Sequence, residues 1–123
     1  TLDKFPNLRI CSAHGGGYLP SYAARMDHGC SVFPAQCQGP TLKKKPSEYF
    51  LRQCFISVDP DEYLVSDVIK RIGDDNIVIS TDYPHIDAHF PHALDEFFEI
   101  EDVSDMSRRK ILWDNCARLY NLE

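Results

Sequence analysis

Two residues able to do chemistry stand at the ends of short apolar runs in this chain of 123 residues. One run is Arg9-Ile-Cys-Ser-Ala-His14, followed by Gly15-Gly16-Gly17. The other is Asn76-Ile-Val-Ile-Ser-Thr-Asp82, followed by Tyr83-Pro84. Each run has the length of a strand and stops on one ionisable residue, and each is followed by residues that bend the backbone. In a parallel α/β fold, side chains at the carboxyl ends of strands meet in one mouth, so this pattern predicts that His14 and Asp82 share a site. A carboxylate closing a buried strand must be paired, hydrogen-bonded or metal-bound. Asp82 is thus a candidate ligand for a divalent cation, with a helix cap or loop brace as its plain structural role. His14 is a candidate for proton transfer beside it; a lone histidine there would be read as structural, and the pairing with Asp82 favours function.

Two other chemistries can be asked of His14-Gly15-Gly16-Gly17. Glycines between a strand and a helix expose backbone N–H groups that can cradle phosphate. No complete phosphate-loop or dinucleotide fingerprint follows, however. An oxyanion loop of the esterase kind would need a G-x-S-x-G nucleophile elbow, and Gly29-Cys-Ser-Val-Phe33 fails at the last position.

The elements that must position these residues follow from periodicity and punctuation. Leu8 to Ala13 reads as a first strand, and Leu19-Pro20 opens a helix with proline in its first turn. Phe33 to Pro46 reads as an irregular excursion, rich in proline. Tyr49 to Val58, aromatic and β-branched, reads as a second strand. Asp59-Pro60-Asp61-Glu62 then supplies a cap and first-turn carboxylates for a helix whose apolar residues are Leu64, Val65, Val68, Ile69 and Ile72, and Gly73 ends it. Ile77 to Ser80 is a third strand. A loop carrying His85, Asp87, His89 and His92 precedes a helix around Leu94, Phe97 and Phe98. A last helix spans about 104–120, with Ile111, Leu112, Ala117, Leu119 and Tyr120 expected inside. The order is β-α-β-α-β-α, an α/β unit with parallel strands.

Composition narrows the partners. The net charge of −6 argues against a nucleic-acid surface, and Lys43-Lys44-Lys45 reads as a solvated loop. No apolar run approaches membrane-spanning length. Five cysteines without a C-x-x-C pair suggest a reducing, cytoplasmic setting; the spacing of His28, Cys30 and Cys37 matches no zinc signature.

The ordered combination FPNLRICSAHGGGYLPSYAAR, VISTDYPH and KILWDNCARLYNL closely resembles the amidohydrolase-related (amidohydrolase 2) branch of the metal-dependent amidohydrolases. That branch includes aminocarboxymuconate semialdehyde decarboxylase and resorcylate-type decarboxylases. The resemblance covers residues 1–123 and implies one partial domain, strands six to eight of a (β/α)8 barrel, an incomplete barrel. It implies that Asp82 binds a divalent metal, zinc, and that His14 orients or deprotonates metal-activated water or handles the proton in decarboxylation. By the same resemblance Arg25 contacts a substrate carboxylate across a dimer interface, with an ordinary exposed helix arginine as the alternative. His85 is implied to face the substrate, while His89 and His92 lie on the loop surface. The family's His-x-His pair and strand-five histidine have no counterpart here. The expectation is therefore a metal-dependent hydrolase or non-oxidative decarboxylase of a small carboxylated or cyclic compound, forming homo-oligomers. The alternative is a truncated module that self-associates or completes a barrel with a partner.

Overall fold

The computed structural model describes residues 1–16, 19–37 and 42–122. Three parallel strands, β1 (Ile10–Ser12), β2 (Cys54–Val58) and β3 (Ile77–Ile79), form one sheet in that spatial order. The first crossover carries α1 (Leu19–Val32), α2 (Pro34–Cys37) and α3 (Pro46–Gln53), and the second carries α4 (Val65–Ile72). After β3 come α5 (Ala93–Glu99), α6 (Asp105–Arg109), a π-helical turn over Lys110–Asp114 and α7 (Asn115–Tyr120).

β2 is central, and Phe55, Ile56, Ser57 and Val58 are all buried, as a parallel strand covered on both faces requires. Ile56 and Val58 pack with Phe50, Val65, Ile77, Phe97, Val103 and Ile111 in one apolar cluster. Burial of this kind stabilises by roughly 25 cal/mol per Å² of apolar surface removed from water. β1 is different: Ile10 is 43% exposed and Cys11 is exposed. The sheet is therefore well covered at β2 and β3 and open along β1.

Several expectations change in detail. The stretch from Tyr49 is not strand from its start, because Pro46–Gln53 is helical. Pro46 suits a first helical turn, and the Lys45 N–H donates to Glu48 Oε2 at 2.8 Å. This turns Tyr49, Phe50 and Gln53 onto one buried face; local aromatic β-propensity yields to packing. Asp59 does not cap α4, which starts at Val65 behind Leu64. Gly73 does end α4, with φ 78°. Tyr120, expected inside, is 71% exposed, whereas Ile111 and Ala117, also expected inside, are buried together with Asn115. Cys30 and Cys37 form a disulfide across the α1–α2 corner, with Cα atoms 5.1 Å apart. That pairing corrects the expectation of a fully reduced set and commits both thiols to each other rather than to zinc. Cys11, Cys54 and Cys116 are free. Among the described residues no helix is long and apolar enough to cross a membrane.

Buried amides hold the strands at their amino-terminal ends. Asn115 Nδ2 donates to the carbonyls of Asp74 and Ile77, both at 2.7 Å, and Asn76 Nδ2 donates to Cys54 O at 2.6 Å and Leu51 O at 3.1 Å. Gln53 Nε2 donates to Phe5 O at 2.8 Å and Leu8 O at 3.0 Å. Each pairs a buried side-chain amide with backbone carbonyls, as burial of polar groups requires. The final helical segment is capped by Ser104, whose Oγ accepts from the Ser107 N–H at 3.1 Å. Ser104→Ala is expected to cost about 1 kcal/mol, read as a lowered urea midpoint with an unchanged denaturant slope.

Candidate active site at the carboxyl ends of the strands

The register brings three chain segments to one line. Ser12 is opposite Ile56, and Val58 is opposite Ile79. Two residues past Ser12, His14 is therefore level with Val58; Asp59 follows β2 directly, and Asp82 lies three residues past Ile79. Both residues singled out from the sequence have left-handed backbones, with φ 54° at His14 and 53° at Asp82. Such a conformation costs a non-glycine residue roughly 1–2 kcal/mol and persists only where its surroundings enforce it.

At His14 the enforcement comes from the glycines. His14–Gly16 is a single 3₁₀ turn, closed by the Gly16 N–H donating to Ala13 O at 3.1 Å. Gly16 has φ 70° and lies against the buried Ile56 side chain, so it serves close approach to β2. Gly17 lies outside the described residues. His14 Nδ1 sits 3.0 Å from Asp59 Oδ2, and the His14 side chain is 66% exposed. Its pKa is raised, first by the hydrogen bond it donates to Asp59 and then by that residue's charge; burial opposes this, and the charges of Asp82 and Asp87 add smaller contributions in the raising direction. That coupling puts the His14 ring in the field of the carboxylates that follow β3.

Asp82 begins a loop built from successive turns. Its carbonyl accepts from the His85 N–H at 3.0 Å, and the carbonyls of His85 and His89 accept from Ala88 and His92 in the same way. Tyr83 and Phe90 pack across the loop with ring centroids 5.0 Å apart. Asp82 Oδ2 lies 2.8 Å from His85 Nδ1. Ligand atoms of Asp82, His85 and Asp87 all fall within 4.8 Å of one another. Two carboxylates and one imidazole are a donor set suited to a hard or borderline divalent cation, so these residues fit the ion expected at Asp82.

The other expected residues fall as follows. His85 turns back onto Asp82. Arg25 is exposed on α1 and forms no ion pair with another described residue. His92 is exposed, whereas His89 is half-buried between Glu96 and Asp61. An apolar cavity of about 520 Å³ lies elsewhere, between the amino-terminal segment, α1 and α3, lined by Leu2, Leu19, Met26 and Phe50. Asp59 and Asp87 were not singled out as site residues by sequence reasoning. A signal for Asp59 was present: like His14 and Asp82, it ends an apolar strand run and precedes a bending residue, Pro60. Its resemblance to a helix cap concealed it.

Comparison with known proteins gives the family of the chain. The amidohydrolase family model matches residues 1–122. Gamma-resorcylate decarboxylase of Polaromonas sp. is 33% identical over 98% of this chain and 36% of its own length. The 2-amino-3-carboxymuconate-6-semialdehyde decarboxylase of Caenorhabditis elegans is 29% identical over 99% of this chain and 30% of its own. The crystal structure of a dihydroxybenzoic acid decarboxylase from Polaromonas sp., with bound manganese and the inhibitor 2-nitroresorcinol, superposes with a TM-score of 0.75 at 32% identity, covering 98% of this chain and 36% of that one. The chain thus spans about a third of the length of the curated relatives it matches. It belongs to the amidohydrolase family and is similar to that family's resorcylate and aminocarboxymuconate semialdehyde decarboxylases.

Proposed function

We propose that this chain is the part of a (β/α)8 barrel that carries strands six to eight, in a metal-dependent non-oxidative decarboxylase of a small carboxylated substrate. The observation that carries the reading is that His14 is hydrogen-bonded to Asp59 at the carboxyl end of the sheet, while Asp82, which follows β3, gathers His85 and Asp87. Decarboxylation is favoured over hydrolysis because the similar curated proteins are decarboxylases. Asp82, with Asp87 and His85, would hold the divalent ion; manganese, as in the Polaromonas structure, replaces zinc as the preferred identity. When bound, such an ion supplies Lewis-acid stabilisation of negative charge on the substrate.

The remaining work falls to side chains. His14, its protonated form favoured by Asp59, Asp82 and Asp87, gives its Nε2 proton to the carbon that loses carbon dioxide. The carbon–carbon bond breaks as carbon dioxide departs, its electron pair stays on the substrate carbon and takes that proton, and solvent reprotonates the exposed ring. Arg25, free of ion pairs with described residues, remains available to a substrate carboxylate in a neighbouring copy.

The test uses the native polypeptide that carries residues 1–123, supplied with manganese and carboxyl-labelled 2,6-dihydroxybenzoate or an aminocarboxymuconate semialdehyde. One labelled carbon dioxide per substrate consumed, with solvent deuterium at the vacated carbon, is the expected result. Uptake of water with the carboxyl group retained in the product overturns it in favour of hydrolysis.

A second reading, a module that self-associates or completes a barrel with a partner, is favoured by the open β1 side. Ile10 is 43% exposed and Cys11 is exposed there, and an uncovered parallel edge invites pairing. Light scattering on residues 1–123 is then expected to show a dimer or larger species; a stable monomer at micromolar concentration contradicts this reading.

A further inference from the structure

We propose that Asp59 is a positioning residue for His14, fixing the ring's tautomer and aim so that Nε2 faces the substrate. This rests on the reading of His14 as the proton donor. Among the described residues the Asp59 side chain makes no hydrogen bond that serves the turn or helix that follow it. α4 begins six residues later, and its start is not capped by any side-chain hydrogen bond. The turn after β2 is closed by the Asp59 backbone carbonyl, which accepts from the Glu62 N–H at 3.1 Å and would do so with any side chain. The carboxylate instead reaches 45 residues back along the chain to His14 Nδ1, at 3.0 Å.

The two partners are held unequally. Asp59 stands between Val58 and Pro60, both fully buried, and its side chain is 26% exposed. Its second oxygen, Oδ1, is buried and has no hydrogen-bond partner among the described residues. Leaving a carboxylate oxygen unpaired is unfavourable, so the position is not an ordinary surface brace. His14 is 66% exposed on a left-handed backbone, and Asp59 is the one side chain hydrogen-bonded to it among the described residues. Asp59 is therefore the fixed member and the imidazole the member being aimed. An ionised carboxylate can only accept, so Nδ1 must carry a proton. The neutral ring then has its lone pair at Nε2, and the charged ring has its transferable proton there. Each turnover returns His14 to the same tautomer.

The test reads the ring directly. Side-chain ¹H–¹⁵N correlation spectra of the chain, above the His14 titration range, are expected to show neutral His14 as the Nδ1–H tautomer. In Asp59→Asn the carboxamide can donate as well as accept, and the Nε2–H form is expected to appear. Asp59→Glu is expected to restore the Nδ1–H signal. In the active polypeptide, Asp59→Asn is expected to lower kcat by ~10–100-fold, as loss of an orienting partner does elsewhere, with KM changed less than kcat. An Nε2–H tautomer in the unsubstituted chain overturns the proposal, and that measurement needs no variant to fold. An unaltered tautomer in folded Asp59→Asn also overturns it. Failure of this proposal is separable from failure of the reading it rests on: full turnover in His14→Gln removes His14 as the proton donor, whatever the spectra show of Asp59.

Discussion

Replacing His14 with glutamine is expected to slow turnover by about 10²- to 10⁴-fold, the range over which a positioned acid–base group contributes. Glutamine retains a similar reach and can hydrogen-bond Asp59, so the substitution removes proton transfer while disturbing the turn little. The loss should fall on kcat, because the exposed imidazole is assigned to the proton and not to holding substrate. Asp82→Asn should act through a different quantity. Removing a charged oxygen donor from the Asp82, His85 and Asp87 set is expected to weaken manganese binding more than the ~10–100-fold seen when only an outer partner is lost. Calorimetric titration of manganese separates the two variants: His14→Gln should bind it nearly as the unsubstituted protein does, and Asp82→Asn should not. Full turnover in both variants would remove the roles assigned to His14 and Asp82.

The second large effect is on folding. A β-carbon at Gly16 would lie 2.9 Å from Ile56 Cβ and closer still to its Cγ2, on a backbone with φ 70°. Ile56 is fully buried at the centre of the sheet and has no room to withdraw. Overpacking of a core site and the left-handed penalty together predict that Gly16→Ala costs about 2–4 kcal/mol, a large share of a small domain's stability. Neighbouring glycines provide the comparison. Among the described residues a β-carbon at Gly15 would meet only the Glu62 carboxyl group, from 3.4 Å, so Gly15→Ala should cost about 1 kcal/mol, mainly from its positive φ. At Gly29, inside α1, it would meet nothing within 4 Å, and Gly29→Ala should stabilise by about 0.5–1 kcal/mol. Urea midpoints ranked Gly29→Ala, unsubstituted, Gly15→Ala, Gly16→Ala would support the close-approach account. Equal losses at Gly15 and Gly16 would contradict it.

What the amino-acid order determined by itself was the alternation of strands and helices, the two strand ends bearing His14 and Asp82, and the stop at Gly73. These features are local: apolar runs, caps and glycines act within a few residues of where they are written. Its motifs also determined the family resemblance. Only the tertiary structure decided that Pro46–Gln53 is helix, since that depends on which face Tyr49 and Phe50 can bury. It also decided that Asp59 turns to His14 rather than to α4. That contact joins segments 45 residues apart, and the sheet register that brings such segments together is a property of packed strands that no single stretch of chain contains.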